Sequence, residues 1–107
     1  MLFRSTGGSW TQQAKLMASD AQSSDYFGWS VAVSGDTAVI GAYGEATGGT
    51  AAGAAYVFTR TGGSWTQQAK LMASDAVDGD YFGYSVAVSG DTAVIGASNA
   101  DAAYIFE

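Results

Sequence analysis

One phrase occurs twice in this chain and limits what the chain can build. It reads Asp25-Tyr26-Phe27-Gly28-Trp29-Ser30-Val31-Ala32-Val33-Ser34-Gly35-Asp36-Thr37-Ala38-Val39-Ile40-Gly41-Ala42, and it returns at 80–97 with Tyr84 in place of Trp29. The identity extends upstream. Segments 4–42 and 59–97 differ only at Arg4/Thr59, Ser5/Arg60, Gln22/Val77, Ser23/Asp78, Ser24/Gly79 and Trp29/Tyr84. Such near-identity points to a recent duplication or an engineered sequence. After Ala42 the first copy inserts 43–53, whereas the second has only 98–101, and both resume with Ala-Ala-Tyr-Val/Ile-Phe at 54–58 and 102–106. A length change at one point inside a strict repeat marks a surface loop. The chain is therefore one domain of two repeats, 4–58 and 59–107, each a supersecondary unit that must stack on a neighbour to bury its apolar face.

Within one period four strands are expected. Residues 27–34 alternate and are β-branched, giving strand A. Gly35-Asp36 puts glycine first in a two-residue turn, which suits type II′. Residues 37–42 form strand B, whose nearly continuous apolar run predicts burial on both faces. Residues 54–59 form strand C, and Thr61-Gly62-Gly63 turns the chain into strand D at 64–73. Strand D sets polar Thr66, Gln68 and Lys70 against Trp65, Gln67, Ala69 and Leu71, the pattern of an outer edge strand. Four antiparallel strands of rising polarity, repeated about every 50 residues, describe a β-propeller blade. The expected class is all-β: four-stranded antiparallel propeller blades, two per chain, in a ring closed by oligomerisation.

Composition removes several functions. The net charge is −6 with four Lys and Arg in all, too few for a nucleic-acid surface, which displaces counterions with clustered positive charge. No apolar run is long enough for a membrane span, and no signal peptide is expected at the start. Cysteine and histidine are both absent, so neither thiol chemistry nor the commonest general base and metal ligand is available. No Gly-x-Ser-x-Gly motif and no distinguished carboxylate pair is present, so the chain is not expected to be an enzyme.

Phe27-Gly28 with Val39-Ile40-Gly41-Ala42, and Phe82-Gly83 with Val94-Ile95-Gly96-Ala97, resemble the FG-GAP repeat, the blade of integrin-α-type propellers. The Trp and Gln-Ala-Lys-Leu of the outer strand make it most similar to the bacterial variety. The resemblance implies partner binding on the rim shared by the D–A and B–C connections, here 20–25, 43–53, 75–80 and 98–101, and an extracellular or cell-surface location. Many such blades hold calcium between strands A and B. Here that turn offers one carboxylate, Asp36 or Asp91, where calcium takes six or more oxygens, so no cofactor is expected.

The ends of the repeats predict self-association. Leu2-Phe3 aligns with Val57-Phe58, so a strand D at 9–18 precedes the first full blade, while Phe106 closes a strand C with no D after it. Strand D of one copy is expected to add to strand C of the next, through Trp10, Gln12, Ala14, Leu16, Ala103, Tyr104, Ile105 and Phe106. Head-to-tail contacts of this kind close into rings, here a trimer or tetramer of six or eight blades; the alternative is a piece of a longer propeller, a lectin-like or protein-binding integrin-type module of a cell-surface protein. The expectation requires that 9–18 not be paired within its own chain.

For ligands, Trp29, Tyr84 and Tyr43 offer flat faces with polar tips that suit a sugar or a protein side chain. Blade-to-blade packing is the plainer role for Trp29 and Tyr84, and Trp10 and Trp65 are expected to fill space between blades. Asp78 and Asp80, with Asp75, could hold a cation weakly, although Asp and Gly also do ordinary turn work.

Overall fold

The computed structural model describes residues 2–6 and 9–107. Nine strands follow in order: β1 (Leu2–Thr6), β2 (Ser9–Ala14), β3 (Ser30–Ser34), β4 (Thr37–Ala42), β5 (Ala54–Thr61), β6 (Ser64–Leu71), β7 (Phe82–Ser89), β8 (Thr92–Ala97) and β9 (Ala102–Phe106). A three-residue 3-10 turn, Ser98–Ala100, stands between β8 and β9. The sheets are β1-β2, β3-β4-β5-β6 and β7-β8-β9, antiparallel throughout. The four-stranded sheet is the first blade and the three-stranded sheet the second.

The turns follow from glycine. Gly35 and Gly90 take φ of 57° and 56° while the following aspartates stay out of the left-handed region, as a type II′ turn requires. Gly62 and Gly63 are both left-handed, at 59° and 86°, which makes the β5–β6 turn type I′.

Alternation along β4 and β5 divides the core in two. Ala38, Ile40, Ala42, Ala54, Tyr56 and Phe58 face Ala18, with Leu16 and Phe27 packed alongside. Val39 and Ala55 face the second blade, where they meet Phe82, Ala93, Ile95 and Ala97. Full burial of Phe82, at 0% exposure, contributes about 2–3 kcal/mol. Strand β4 is thus buried on both faces, as its apolar run predicts.

Several boundaries differ from the sequence expectation. Strand A of the first blade starts at Ser30 rather than 27, although the Gly28 amide still bonds the Gly41 carbonyl at 3.1 Å. In the second blade the strand does begin at Phe82, with a register shift between Phe82 and Ser85. Strand C runs on to Thr61, and strand D ends at Leu71.

The larger correction concerns 9–18. This segment was expected to find no partner in its own chain. Instead Ser9–Ala14 pairs with Leu2–Thr6, with Phe3 opposite Gln12 and Leu2 opposite Ala14. The pairing repeats that of the first blade, where Phe58 lies opposite Gln67 as Phe3 lies opposite Gln12. Beyond Ala14 the chain leaves the ladder, and Lys15 and Leu16 have no strand partner among the described residues. Trp10 fills no space between blades; it is 69% exposed.

Candidate functional site

The D–A and B–C connections do share a rim, and aromatic rings gather there. Tyr43, just after β4, stacks on Tyr26 with ring centres 5.0 Å apart and planes 11° apart. It also meets Trp29 at 5.1 Å, Tyr81 at 5.1 Å and Tyr84 at 5.0 Å. Trp29 and Tyr84, one from each blade, are 5.7 Å apart. Tyr26, Trp29 and Tyr84 remain 51%, 53% and 39% exposed. Edge-to-face and offset contacts of this kind hold the rings in place while leaving faces open. Withdrawal from water raises the Tyr43 hydroxyl's pKa, and the neighbouring tyrosines add to this.

Three sequence candidates, Trp29, Tyr43 and Tyr84, therefore meet. Tyr26 and Tyr81 complete the cluster. Their signal in the sequence is that each precedes a Phe-Gly. Both are left-handed, at 58° and 59°, an uncommon state for a tyrosine that turns the side chain toward the rim. Asp78 and Asp80 do other work. Asp78 Oδ1 accepts the Thr50 amide at 3.0 Å, and Asp80, buried, accepts the Val77 amide at 3.1 Å.

A charged cluster lies in the first blade. The Lys70 ammonium donates to Asp20 Oδ2 at 2.6 Å, Glu45 Oε2 at 2.7 Å and Thr47 Oγ1 at 3.0 Å. Tyr56 donates its hydroxyl to Asp20 Oδ1 at 2.8 Å, and Thr47 donates to Glu45. Burial pushes the Glu45 carboxyl up, but Lys70 and Thr47 outweigh it and leave the group below its usual range. Hydrogen bonds from Lys70 and Tyr56 lower the Asp20 carboxyl. Burial disfavours the Lys70 charge, yet its two carboxylates raise the ammonium's pKa. The second blade has half of this cluster: Tyr104 donates to Asp75 Oδ1 at 2.7 Å, and no lysine accompanies them among the described residues.

The long 43–53 connection is a clasp. It takes backbone hydrogen bonds from Gly79 to Thr50, Tyr81 to Ala51 and Phe82 to Ala52, at 2.8–3.0 Å. Gly53 pairs with Phe82 so closely that a Cβ on it would stand 1.9 Å from the Phe82 carbonyl oxygen.

The FG-GAP repeat pattern matches residues 10–58 and 65–106. The chain belongs to the FG-GAP repeat family. No curated protein matches it.

The FG-GAP signature is here an inter-blade joint. The carbonyl of Gly83, from the second Phe-Gly, accepts the Ser30 hydroxyl of the first blade at 2.7 Å. A Cβ on Gly41, from the first Gly-Ala, would lie 2.0 Å from that carbonyl oxygen, and one on Gly83 would lie 2.3 Å from the Ala54 carbonyl oxygen. Both FG-GAP glycines are needed because two backbones touch. The same parts stand unused at the outer faces. Gly28 has open space where Gly83 has Ala54, and Gly96 meets only its own Ser85.

The expected interface residues sort accordingly. Ala103 and Ile105 are exposed, the latter at 70%, while Tyr104 and Phe106 are half-buried beside the core between the FG-GAP blades. Gln12 and Ala14 are paired to β1, and Leu16 lies half-buried against the first blade's core.

Proposed function

We propose that this chain is a non-catalytic structural unit whose two FG-GAP blades associate head to tail with further copies, closing into a ring of three or four. The observation that carries the reading is an inequality between equivalent positions. Val39 is 0% exposed because the second blade covers it; Val94, its counterpart in the second blade, is 37% exposed. Val57 is half-buried where its counterpart Ile105 is 70% exposed. The opposite surface, around Phe27, Val31 and Ile40, is an open cleft beside Leu16. The chain already holds one example of these two faces fitting each other, where Val39 and Ala55 meet Ala93 and Ile95. Repeating that contact between copies is a heterologous association, which closes if the rotation allows. Exposed apolar faces and an open β9 edge supply the driving force.

The β1–β2 hairpin counts against strand addition, which required 9–18 to be unpaired in its own chain, so the reading rests on the exposed sheet faces. By the register of the first blade, Ala103, Tyr104, Ile105 and Phe106 would lie opposite Leu16, Lys15, Ala14 and Gln12 of the next copy. Leu2 and Phe3 now face two of those positions and would have to yield them, while Lys15 and Leu16 have no ladder partner among the described residues. Analytical ultracentrifugation tests the reading: a trimer or tetramer supports it, and a folded monomer at micromolar concentration overturns it.

The aromatic rim favours a second role for the same particle. Five rings, of which Tyr26, Trp29 and Tyr84 are exposed, with tyrosine hydroxyls and the Trp29 indole N–H as polar tips, suit a carbohydrate or a partner's side chains. Glycan-array binding that is lost in the Trp29→Ala/Tyr84→Ala variant would support that role; an array without signal would remove its carbohydrate form.

A further inference from the structure

The unusual backbone of this chain gathers in one place. Among the described residues, five that are not glycine are left-handed: Ser24, Tyr26, Ala51, Tyr81 and Asp101. The first four line a single cleft of about 440 Å3. A left-handed backbone is costly for a residue with a side chain and persists where the surroundings enforce it, as they do at ligand clamps. Here the 43–53 connection enforces it. The Gly44 amide donates to the Asp25 carbonyl at 3.1 Å, and the Tyr81 amide donates to the Ala51 carbonyl at 3.0 Å. A Cβ on Gly44 would stand 2.1 Å from the Ser24 carbonyl oxygen. The second repeat has only 98–101 at the corresponding point, so this wall belongs to the first repeat alone.

The lining specifies a ligand. Tyr26, Tyr43 and Tyr81 supply aromatic surface, and the rings of Tyr43 and Tyr81 meet at 67° to form a corner. Gln22, Ser24 and Thr50 add exposed side chains that both donate and accept hydrogen bonds. Apolar ring faces beside amide and hydroxyl groups match a pyranose, which has a C–H face for stacking and hydroxyls around its edge. Charge narrows the class. Asp25 is the one ionised residue of the lining; it is buried and accepts the Gln22 amide at 3.1 Å. No lysine or arginine lines the cleft among the described residues, so an acidic group on the ligand would lose water and find no counter-charge. The volume falls within the range of about 300–1,000 Å3 usual for small-ligand sites, with room for a mono- or disaccharide.

We infer that this cleft binds a neutral mono- or disaccharide, its ring face against the tyrosines and its hydroxyls bonded to Gln22, Ser24 and Thr50. The inference rests on the carbohydrate role proposed above for the aromatic rim and gives that role a place and a class of sugar. Tyr43 belongs to both sites, whereas Trp29 and Tyr84 do not line the cleft.

Saturation-transfer NMR tests this with methyl β-galactoside, methyl β-glucoside, methyl α-mannoside, lactose and cellobiose, and with glucuronate and choline alongside. At least one neutral sugar is expected to bind, and glucuronate and choline to stay at background. Tyr26→Asn removes a ring but keeps a residue type that tolerates the left-handed backbone; it is expected to stay folded and to weaken binding about fivefold or more. Gln22→Ala is the second variant. The second repeat has Val77 at that place, so the fold tolerates the loss, and binding should weaken about threefold. Trp29→Ala/Tyr84→Ala should weaken binding less than Tyr26→Asn does. Sugar binding that survives Tyr26→Asn and Gln22→Ala but is lost in Trp29→Ala/Tyr84→Ala would show that the cleft is wrong and the rim reading stands. No signal from any neutral sugar would remove both. Glucuronate or choline binding as well as the best neutral sugar would overturn the assignment to neutral saccharides.

Discussion

Lys70 is the residue on which the first blade's charge balance turns. Its side chain is 20% exposed and the partner Glu45 only 6%. Removing one member of such a pair leaves the other with little water and no counter-charge. Lys70→Ala is expected to lower stability by about 2 kcal/mol in urea titration, a figure already reduced for the exposed Asp20 arm. The pH dependence has two limits. The Asp20 and Glu45 carboxyls lie below their unfolded values, so their stabilisation is complete above about pH 5 and is lost as pH falls through the folded values. Lys70 is raised, so its share is present below about pH 10 and is lost only as pH rises through the folded value. The difference in stability between the unaltered chain and Lys70→Ala should therefore be flat from about pH 5 to 10 and shrink on acidification.

Two glycines separate backbone strain from contact between blades. Gly28 and Gly83 share φ 92°, but only Gly83 has a neighbouring backbone within reach of a Cβ. Gly28→Ala is expected to cost about 1 kcal/mol, and Gly83→Ala about 3 kcal/mol or more, by thermal denaturation of the dissociated chain. In the assembly the order tightens, because Gly28 then has the place that Gly83 has inside one chain. Gly28→Ala should weaken association far more than it weakens the fold.

At the scale of elements, the long connection distinguishes the two FG-GAP repeats. The 43–53 segment pairs by backbone with 79–82 and supplies Glu45 and Tyr43 to the clusters on either side. Replacing 43–53 by Ser-Asn-Ala-Asp, the connection of the second repeat, removes three backbone hydrogen bonds to 79–82, the Thr50–Asp78 bond, and Glu45, Thr47 and Tyr43 from their clusters. Loss of more than about 3 kcal/mol is expected, read as a fall in urea midpoint, because the sheet faces and the Ser30–Gly83 bond are then the main contacts left between the blades. The β1–β2 hairpin acts in the opposite sense. Leu2 and Phe3 hold Ala14 and Gln12, the positions that an incoming β9 requires. Deleting 1–3 is expected to tighten association about threefold or more in sedimentation; no change would show that the edge of β2 is not used.

For the whole molecule, the two larger sheets pack face to face, and each has an outer face. The apolar residues Val94 and Ile105 on one surface and Phe27 and Val31 on the other are the equivalents of Val39, Val57, Phe82 and Val86, which are buried or half-buried between the blades. In the proposed head-to-tail ring the chain would be more stable assembled than apart. Binding that favours the native state makes Tm rise with concentration. A tenfold increase in chain concentration is expected to raise Tm by several degrees, and a Tm independent of concentration would count against association. EDTA should leave Tm unchanged, since the Asp36 and Asp91 turns offer one carboxylate each where a calcium cage needs more.

The repeat, its strands, the Gly35-Asp36 turns and the double burial of β4 could be read from the amino acids, because each depends on neighbours a few residues away. A period-two pattern or a glycine first in a two-residue turn carries its own geometry. The N-terminal hairpin was legible too, in the repetition of Thr-Gly-Gly-Ser, but its partner strand was assigned to another copy. What the tertiary structure alone decided lies in contacts across long stretches of chain: Lys70 with Asp20 and Glu45, Tyr43 among four other rings, and the carbonyl of Gly83 against Ser30. These depend on how one blade is rotated against the next. That rotation is set by side-chain packing and by two glycine backbones in touch, and no local pattern encodes it.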